Sequence, residues 1–487
     1  MRRLLNLLLH PFPAAILAIS LSILLFNAFP ADSIMYHLPF TARFLNLPGF
    51  PDFTGYFEGR YQGFPSLWRI LLGPGLAWNH PRLFIVPNLL ALGLLAYCCR
   101  KLLGLSAALA ICCCFTFPVA LLGFRSSLQD FFVGVLVTIA SITLFQVSYG
   151  FDRELRKPRW ISRWDLLGLT CLALAANVKF QGLFMAMLVL TAALIFRFRD
   201  LNRNGWIALP ARKSQLAVAT ILSMLVFLQP ALNTSRFGNP FYPVSVAGFN
   251  GTEPPTSAPI QYIPQIPLLK NAASYIVSAL EIDPIIRSKA GWSFNRTWHN
   301  HNLPKSQYQP IYPDYQWILT GGSNGLLFLL LFFGAFMSVY GWWREAPLPL
   351  TPLLILRRRL LNTSLLFMFM PQSMELRYYL ISLFVPALVA VSGDATILRQ
   401  VMRWAVVVGL WFTLILTFIQ PIYFWTRTGD WMIARGQLSP DPYRRLPSVQ
   451  QCVEQRRLWG GLISTASDRK IDEVKASMSC HLRLTQP

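Results

Sequence analysis

Apolar residues run along this chain in long blocks separated by short polar breaks, and the blocks show neither the alternation of a half-buried strand nor the one-sided stripe of a soluble helix. Crossing a bilayer core of about 30 Å takes about 17 to 25 residues. Windows of that length, or nearly so, recur from end to end. They predict about eleven spans, roughly 12–29, 83–99, 104–123, 131–149, 164–178, 182–196, 215–232, 322–343, 360–372, 379–393 and 404–423. The window beginning near 360 is cut short by Arg357, Arg358 and Arg359. Residues 64–80 ("FPSLWRILLGPGLAWNH") are short, carry Arg69 and are interrupted by "GPG", which predicts a helix along the outer surface instead of a crossing.

The fold class expected is thus an all-α polytopic membrane protein with two large outer loops, 30–82 and 233–320. Residues 1–423 form the membrane domain and 424–487 a polar C-terminal tail. The start, "MRRLLNLLLHPFPAAILAISLSILLFNAF", has a signal-like basic beginning. It lacks a clear small-residue cleavage site and further spans follow, so it reads as a retained first helix.

Composition agrees: of 487 residues, 54% are hydrophobic and 13% charged, where about a quarter charged is usual for a soluble protein. The formal charge of +22 changes the picture less than its size suggests. Much of it falls in short loops such as "RK" at 100–101, "DRELRKPRWISR" and "RFRDLNRNGWIALPARK", which the positive-inside rule places in the cytoplasm. The charge records topology and does not call for a nucleic acid partner. Six of the eight cysteines, Cys98, Cys99, Cys112, Cys113, Cys114 and Cys171, lie in or at the end of apolar blocks, where a thiol acts as a small hydrophobe. Cys452 and Cys480 lie in the polar tail, where a disulfide needs an oxidising compartment.

With the N-terminus inside, the polar groups that stand out fall at one outer level. Asp32, Tyr36 and His37 follow the first span. Arg125 and Asp130 lie between the third and fourth, Lys179 between the fifth and sixth, and Arg377 and Tyr378 before the tenth. Ionisable groups near a membrane are costly without a partner or a water-filled cavity, so this grouping points to a shared polar site. The plain alternative is that span ends are where charge costs least. A partly desolvated carboxylate can deprotonate an acceptor hydroxyl, and Arg or Lys can hold a phosphate leaving group. The same groups could equally form an ion-pair network or an ion path. Tyr36 and His37 could also be interface anchors. The pair His299 and His301 is a poor metal motif without a further ligand.

The segments "ADSIMYHLPFTARFL", "RYQGFPSLW", "RSSLQDFF", "NVKFQG", "GNPFYP" and "ELRYYL" resemble, in order and spacing, the motifs of bacterial membrane glycosyltransferases of the GT-C superfamily. The branch is similar to protein O-mannosyltransferases and lipid A aminoarabinose transferases. The resemblance runs from about residue 12 to about 420. It implies a GT-C-like fold, a polyprenyl-phosphate sugar donor and an extracytoplasmic active site in a bacterial inner membrane. It also implies Asp32 as catalytic base, Asp130 assisting it, and Arg60 and Arg377 at the donor phosphate. A divalent metal would have nothing but the acids to hold it. The chain departs from many such relatives in carrying Ser33 where they have a second acid, and one proline in the first-loop motif.

The reading is a glycosyltransferase passing a sugar to a lipid, glycan or protein acceptor. Its rivals are a transporter or flippase, which would need polar residues mid-span beyond Asn88 and Gln146, and a polysaccharide polymerase or ligase.

Overall fold

The computed structural model describes residues 9–24, 37–46, 55–78, 81–125, 129–146, 161–204, 213–243, 248–249, 325–341, 351–370, 379–394 and 396–434, with single positions at 269, 272 and 275. Among these residues the protein is all-α, without strands, and three helical segments, Arg82–Leu103, Phe180–Asp200 and Thr396–Ile415, are long and apolar enough to cross a membrane. A fourth qualifies if the bent pair Lys213–Val226 and Leu228–Phe237 counts as one span.

The helices are, in order, α1 (Pro11–Leu24), α2 (Leu38–Phe44), α3 (Gly55–Gly63), α4 (Leu67–Ala77), α5 (Val86–Cys98), α6 (Ala107–Phe115), α7 (Pro118–Phe124) and α8 (Asp130–Leu144). Then come α9 (Arg163–Val178), α10 (Phe180–Asn204), α11 (Lys213–Val226), α12 (Leu228–Phe237), α13 (Gly325–Tyr340), α14 (Pro352–Leu366), α15 (Ile381–Val391) and α16 (Thr396–Ala434). Each of the eleven apolar windows thus carries helix. Several helices are shorter than a crossing: α1, α8, α13 and α15 fall below 18 residues. At 1.5 Å per residue, the 15 residues of α8 reach only about 22 Å.

Two helices form the centre. Every residue of α8 and every residue of α15 is buried, as expected for helices that are apolar on all sides. Around them, α5, α9 and α10 pack on α8, while α13 and α14 pack on α15. The α8–α9 crossing is close because position 168 is glycine: a Cβ there would stand 2.6 Å from Thr143 Oγ1 and 2.7 Å from Leu144 Cγ. Small residues at such crossings let backbones approach where dispersion supplies the attraction.

Breaks in helices are closed by neighbours. The third window divides at Thr116–Phe117, where Pro118 starts α7. Thr116 Oγ1 donates to Cys112 O at 2.7 Å and Val406 O at 3.0 Å, and Thr413 Oγ1 donates to Thr116 O at 2.7 Å. The α11–α12 pair bends by 47° at Phe227, and Asn177 Nδ2 donates to Leu225 O at 2.7 Å. Asn88, a mid-span polar residue in the sequence, is fully buried and caps α7 by donating from Nδ2 to Phe124 O at 2.9 Å.

One end of the bundle carries a basic ion-pair layer. Asp165, in a capping box with Ser162 at the start of α9, pairs with Arg197 near the end of α10. Arg359 pairs with Asp200 and donates to Phe145 O, and Arg357 grips Asp394 with two bonds of 2.9 and 3.2 Å. All three arginine positions that cut short the ninth window therefore find acceptors, since Arg358 donates to Val339 O at 3.2 Å. A low-hydropathy helix can sit inside the bundle because its charges are answered there. The six apolar-block cysteines are buried free thiols. Cys452 and Cys480 lie outside the described residues, as do His299 and His301.

Candidate functional site

The opposite end of the bundle gathers four of the quoted motifs. Asp130 opens α8 as the acid of its first turn, where a carboxylate suits the helix dipole. It is buried, 4% exposed, and pairs through Oδ1 with Lys179 Nζ. Lys179 stands in extended conformation between α9 and α10, so the break in that helical hairpin is what aims the ammonium at the neighbouring helix.

Arg125 occupies the C-cap of α7. Phe124 before it and Phe131 after Asp130 meet edge to face at 5.2 Å, which packs the end of α7 against the start of α8. Arg125 is 4% exposed and its Nε has no hydrogen-bond partner among the described residues. Burial pushes this guanidinium down to about 10, so it stays charged at neutral pH. An unpartnered donor of this kind is rare in a protein interior.

The first outer loop closes the site. Trp68 of α4 packs on Phe132 at 5.5 Å, and Phe64 meets Phe180 edge to face at 5.7 Å, with Arg60 over the Phe64 ring at 5.4 Å. The helix expected over residues 64–80 is present as α4, with Trp68, Arg69 and Leu72 packed inward. Arg69 holds the turn between α3 and α4: it donates to Tyr61 O at 2.6 Å and Phe64 O at 3.2 Å and lies 4.4 Å from the Tyr61 ring centre. Burial pushes its pKa down to about 10; Tyr61 opposes the shift and Arg43 adds to it.

The start of the second outer loop docks on the same place. Gly63 O accepts from Gln229 Nε2 and from Asn233 Nδ2, each at 3.1 Å. Asn233 Nδ2 also donates to Tyr242 O at 2.9 Å. No side chain fits at Gly63, since a Cβ would lie 2.6 Å from Tyr242 O and 2.8 Å from Pro243 Cδ. Phe241 stacks on Phe184 at 5.7 Å. The sequences "RYQGFPSLW" and "GNPFYP" thus form one joint. Asn233, a glycosylation sequon by pattern, is 1% exposed and committed to this joint.

The expected site residues therefore divide. Asp130 and Lys179 come together; Arg125 stands five positions before Asp130 at the C-cap of α7, and Arg60 lies over the Phe64 ring that meets Phe180 beside Lys179. His37 is buried at the N-cap of α2 and engaged with neighbouring groups. Asp32, Tyr36, Arg377 and Tyr378 lie outside the described residues. Sequence reasoning missed Arg69 as a structural cation and the Gln229–Asn233 clamp; the signal available was their i, i+4 spacing on one helix face.

Asp130 is committed to Lys179, and among the described residues no three His, Cys, Asp or Glu side chains cluster. Comparison with known protein families, with curated proteins and with solved structures finds no match to this chain.

Proposed function

We propose that the chain is an integral-membrane glycosyltransferase with eleven spans and a GT-C-like fold. It moves a sugar from a polyprenyl-phosphate donor to an acceptor hydroxyl on the extracytoplasmic face. The observations that carry this reading are buried Arg125, which has no ion pair and an unbonded Nε among the described residues, and the buried Asp130–Lys179 pair that opens the next helix. A buried guanidinium costs several kcal/mol without a counter-charge, and a phosphate diester supplies one.

In this reaction Asp32 takes the proton of the acceptor hydroxyl, whose oxygen forms a bond to the anomeric carbon. The bond from that carbon to the donor phosphate oxygen breaks, and its electron pair leaves with the polyprenyl phosphate. Arg125 binds the phosphate, Asp130 positions the Lys179 ammonium beside it, and Arg60 and Arg377 serve the same anion. Asp130 is thereby a positioning residue and Asp32 alone the base.

The test is sugar transfer by the purified chain from a set of polyprenyl-phosphate sugars, with Asp32→Asn as comparison. Transfer that persists at full rate in a normally folded Asp32→Asn removes the assigned base. Donor-independent flipping of lipid in liposomes would replace the reading with a flippase. That second reading is favoured by the helix breaks at Pro118 and Phe227, since transporters bind substrate at interrupted helices. Against it, the carbonyls of Thr116 and Leu225 at the two breaks accept bonds from Thr413 Oγ1 and Asn177 Nδ2 of neighbouring helices. A product heavier than the acceptor by a whole oligosaccharide would assign a polymerase or ligase.

A further inference from the structure

The other end of the bundle holds a cavity of about 700 Å³ where the start of α1, the Gly104–Ser106 turn and the first turns of α16 meet. Three sequence segments that the positive-inside rule assigns to the cytoplasm thus converge on one concave site. Arg399 and Arg403, four residues apart, line it from one face of α16 together with Gln400. His10 adds a donor: Phe12 N donates to its Nδ1 at 3.3 Å, which leaves the proton on Nε2. Ser106 contributes a hydroxyl whose oxygen already caps α6 by accepting from Leu109 N.

No acidic side chain lines the cavity among the described residues. Asp394, two positions before α16, is already held by Arg357, and neither Arg399 nor Arg403 has an ion pair among the described residues. Like charges at i, i+4 destabilise a helix, and the usual explanation would be a solvated basic face. Here Gln400 and Arg403 are exposed and Arg399 half-buried, but they stand over a concave wall of Pro11, Leu109 and Val407 and not on a flat helix face.

We propose that this cavity binds the phosphodiester headgroup of an anionic phospholipid from the cytoplasmic leaflet. The two guanidiniums and the His10 and Gln400 donors match the oxygens of one phosphate group. A lipid source is favoured over free phosphate by what continues from the cavity. Trp404, Val408, Phe412 and Ile415 are 46%, 53%, 46% and 53% exposed and follow one face of α16 away from the site for about 16 Å, a track for an acyl chain. Trp404 stands at its head, where indole rings mark the membrane interface. The site lies at the opposite end from Asp130 and Lys179 and does not depend on the proposed reaction.

The full chain is reconstituted in phosphatidylcholine nanodiscs with and without phosphatidylglycerol, and bound lipid is measured by native mass spectrometry after detergent extraction. Wild type is expected to retain phosphatidylglycerol in preference to phosphatidylcholine. Arg399→Gln with Arg403→Gln is expected to weaken retention roughly 25-fold, from about fivefold per basic residue, while the double Lys variant keeps most of it. Millimolar inorganic phosphate should leave the lipid in place. Equal retention of the two lipids by wild type overturns the proposal whether or not the Gln variant folds. So does an unchanged Gln variant, and displacement by inorganic phosphate would assign the cavity to the free ion instead.

Discussion

Lys179 Nζ meets Asp130 Oδ1 across 49 residues of chain, joining the turn between α9 and α10 to the first turn of α8. With side-chain exposures of 13% and 3%, both charges are largely removed from water. Removing one partner of such a pair costs about 3–5 kcal/mol, because the other charge is stranded. Asp130→Asn should therefore lower the melting temperature sharply. Asp130→Leu combined with Lys179→Met should recover most of that stability yet transfer sugar ~100-fold more slowly, since positioning is lost. Thermal melts and transfer rates on the same preparations separate the two effects; a double variant with full activity would make the pair purely structural.

Arg125 offers the converse. Its depressed pKa means the folded chain holds this proton less tightly than the unfolded chain. Stability then rises with pH only between about 10 and the ordinary arginine range, and the whole cost of burying the charge is present at neutral pH. Arg125→Met should keep or raise the melting temperature at pH 7 while the donor KM rises about 10- to 100-fold, the worth of a charged hydrogen bond. A fall in stability with unchanged donor KM would mean that Arg125 supports the fold alone.

Gly63→Ala tests the joint between the outer loops. Its methyl group would strike the Tyr242 carbonyl and the Pro243 ring, and relief by backbone movement costs about 1–3 kcal/mol. Proteolysis between residues 55 and 78 should accelerate in this variant relative to wild type. Identical digestion patterns would mean that the clamp from Gln229 and Asn233 is dispensable.

Topology can be checked with an impermeant maleimide. The six described cysteines are buried, so after replacing Cys452 and Cys480, single cysteines introduced at Gln62 and Lys101 report on opposite ends. Both positions are exposed. The variant at Gln62 should label in intact cells and the one at Lys101 only after lysis; labelling of both in intact cells contradicts the eleven-span arrangement.

Helix positions were legible because long apolar blocks leave the backbone no other way to satisfy its hydrogen bonds in lipid. That is why a helix lies in each window, even the ninth, whose arginines read as an interruption. What the sequence could not reveal was how Arg357 and Arg359 are answered: Asp394 and Asp200 lie 37 and 159 residues away, and nothing local announces such partners. The site was legible to the level of which segments share an end. Lys179 looked like a phosphate ligand and its pairing with Asp130 required knowing the crossing of α8 and α9. Arg69 looked like a charge barring a span, whereas two carbonyls of its own loop hold it.

The last helix, α16, runs 39 residues, Thr396 to Ala434, or about 58 Å. A whole bilayer with its headgroups measures only about 40–45 Å. Only Thr396–Ile415 of this helix is apolar enough to cross, so the turns from there to Ala434 lengthen the rod beyond what a hydrocarbon core of about 30 Å needs.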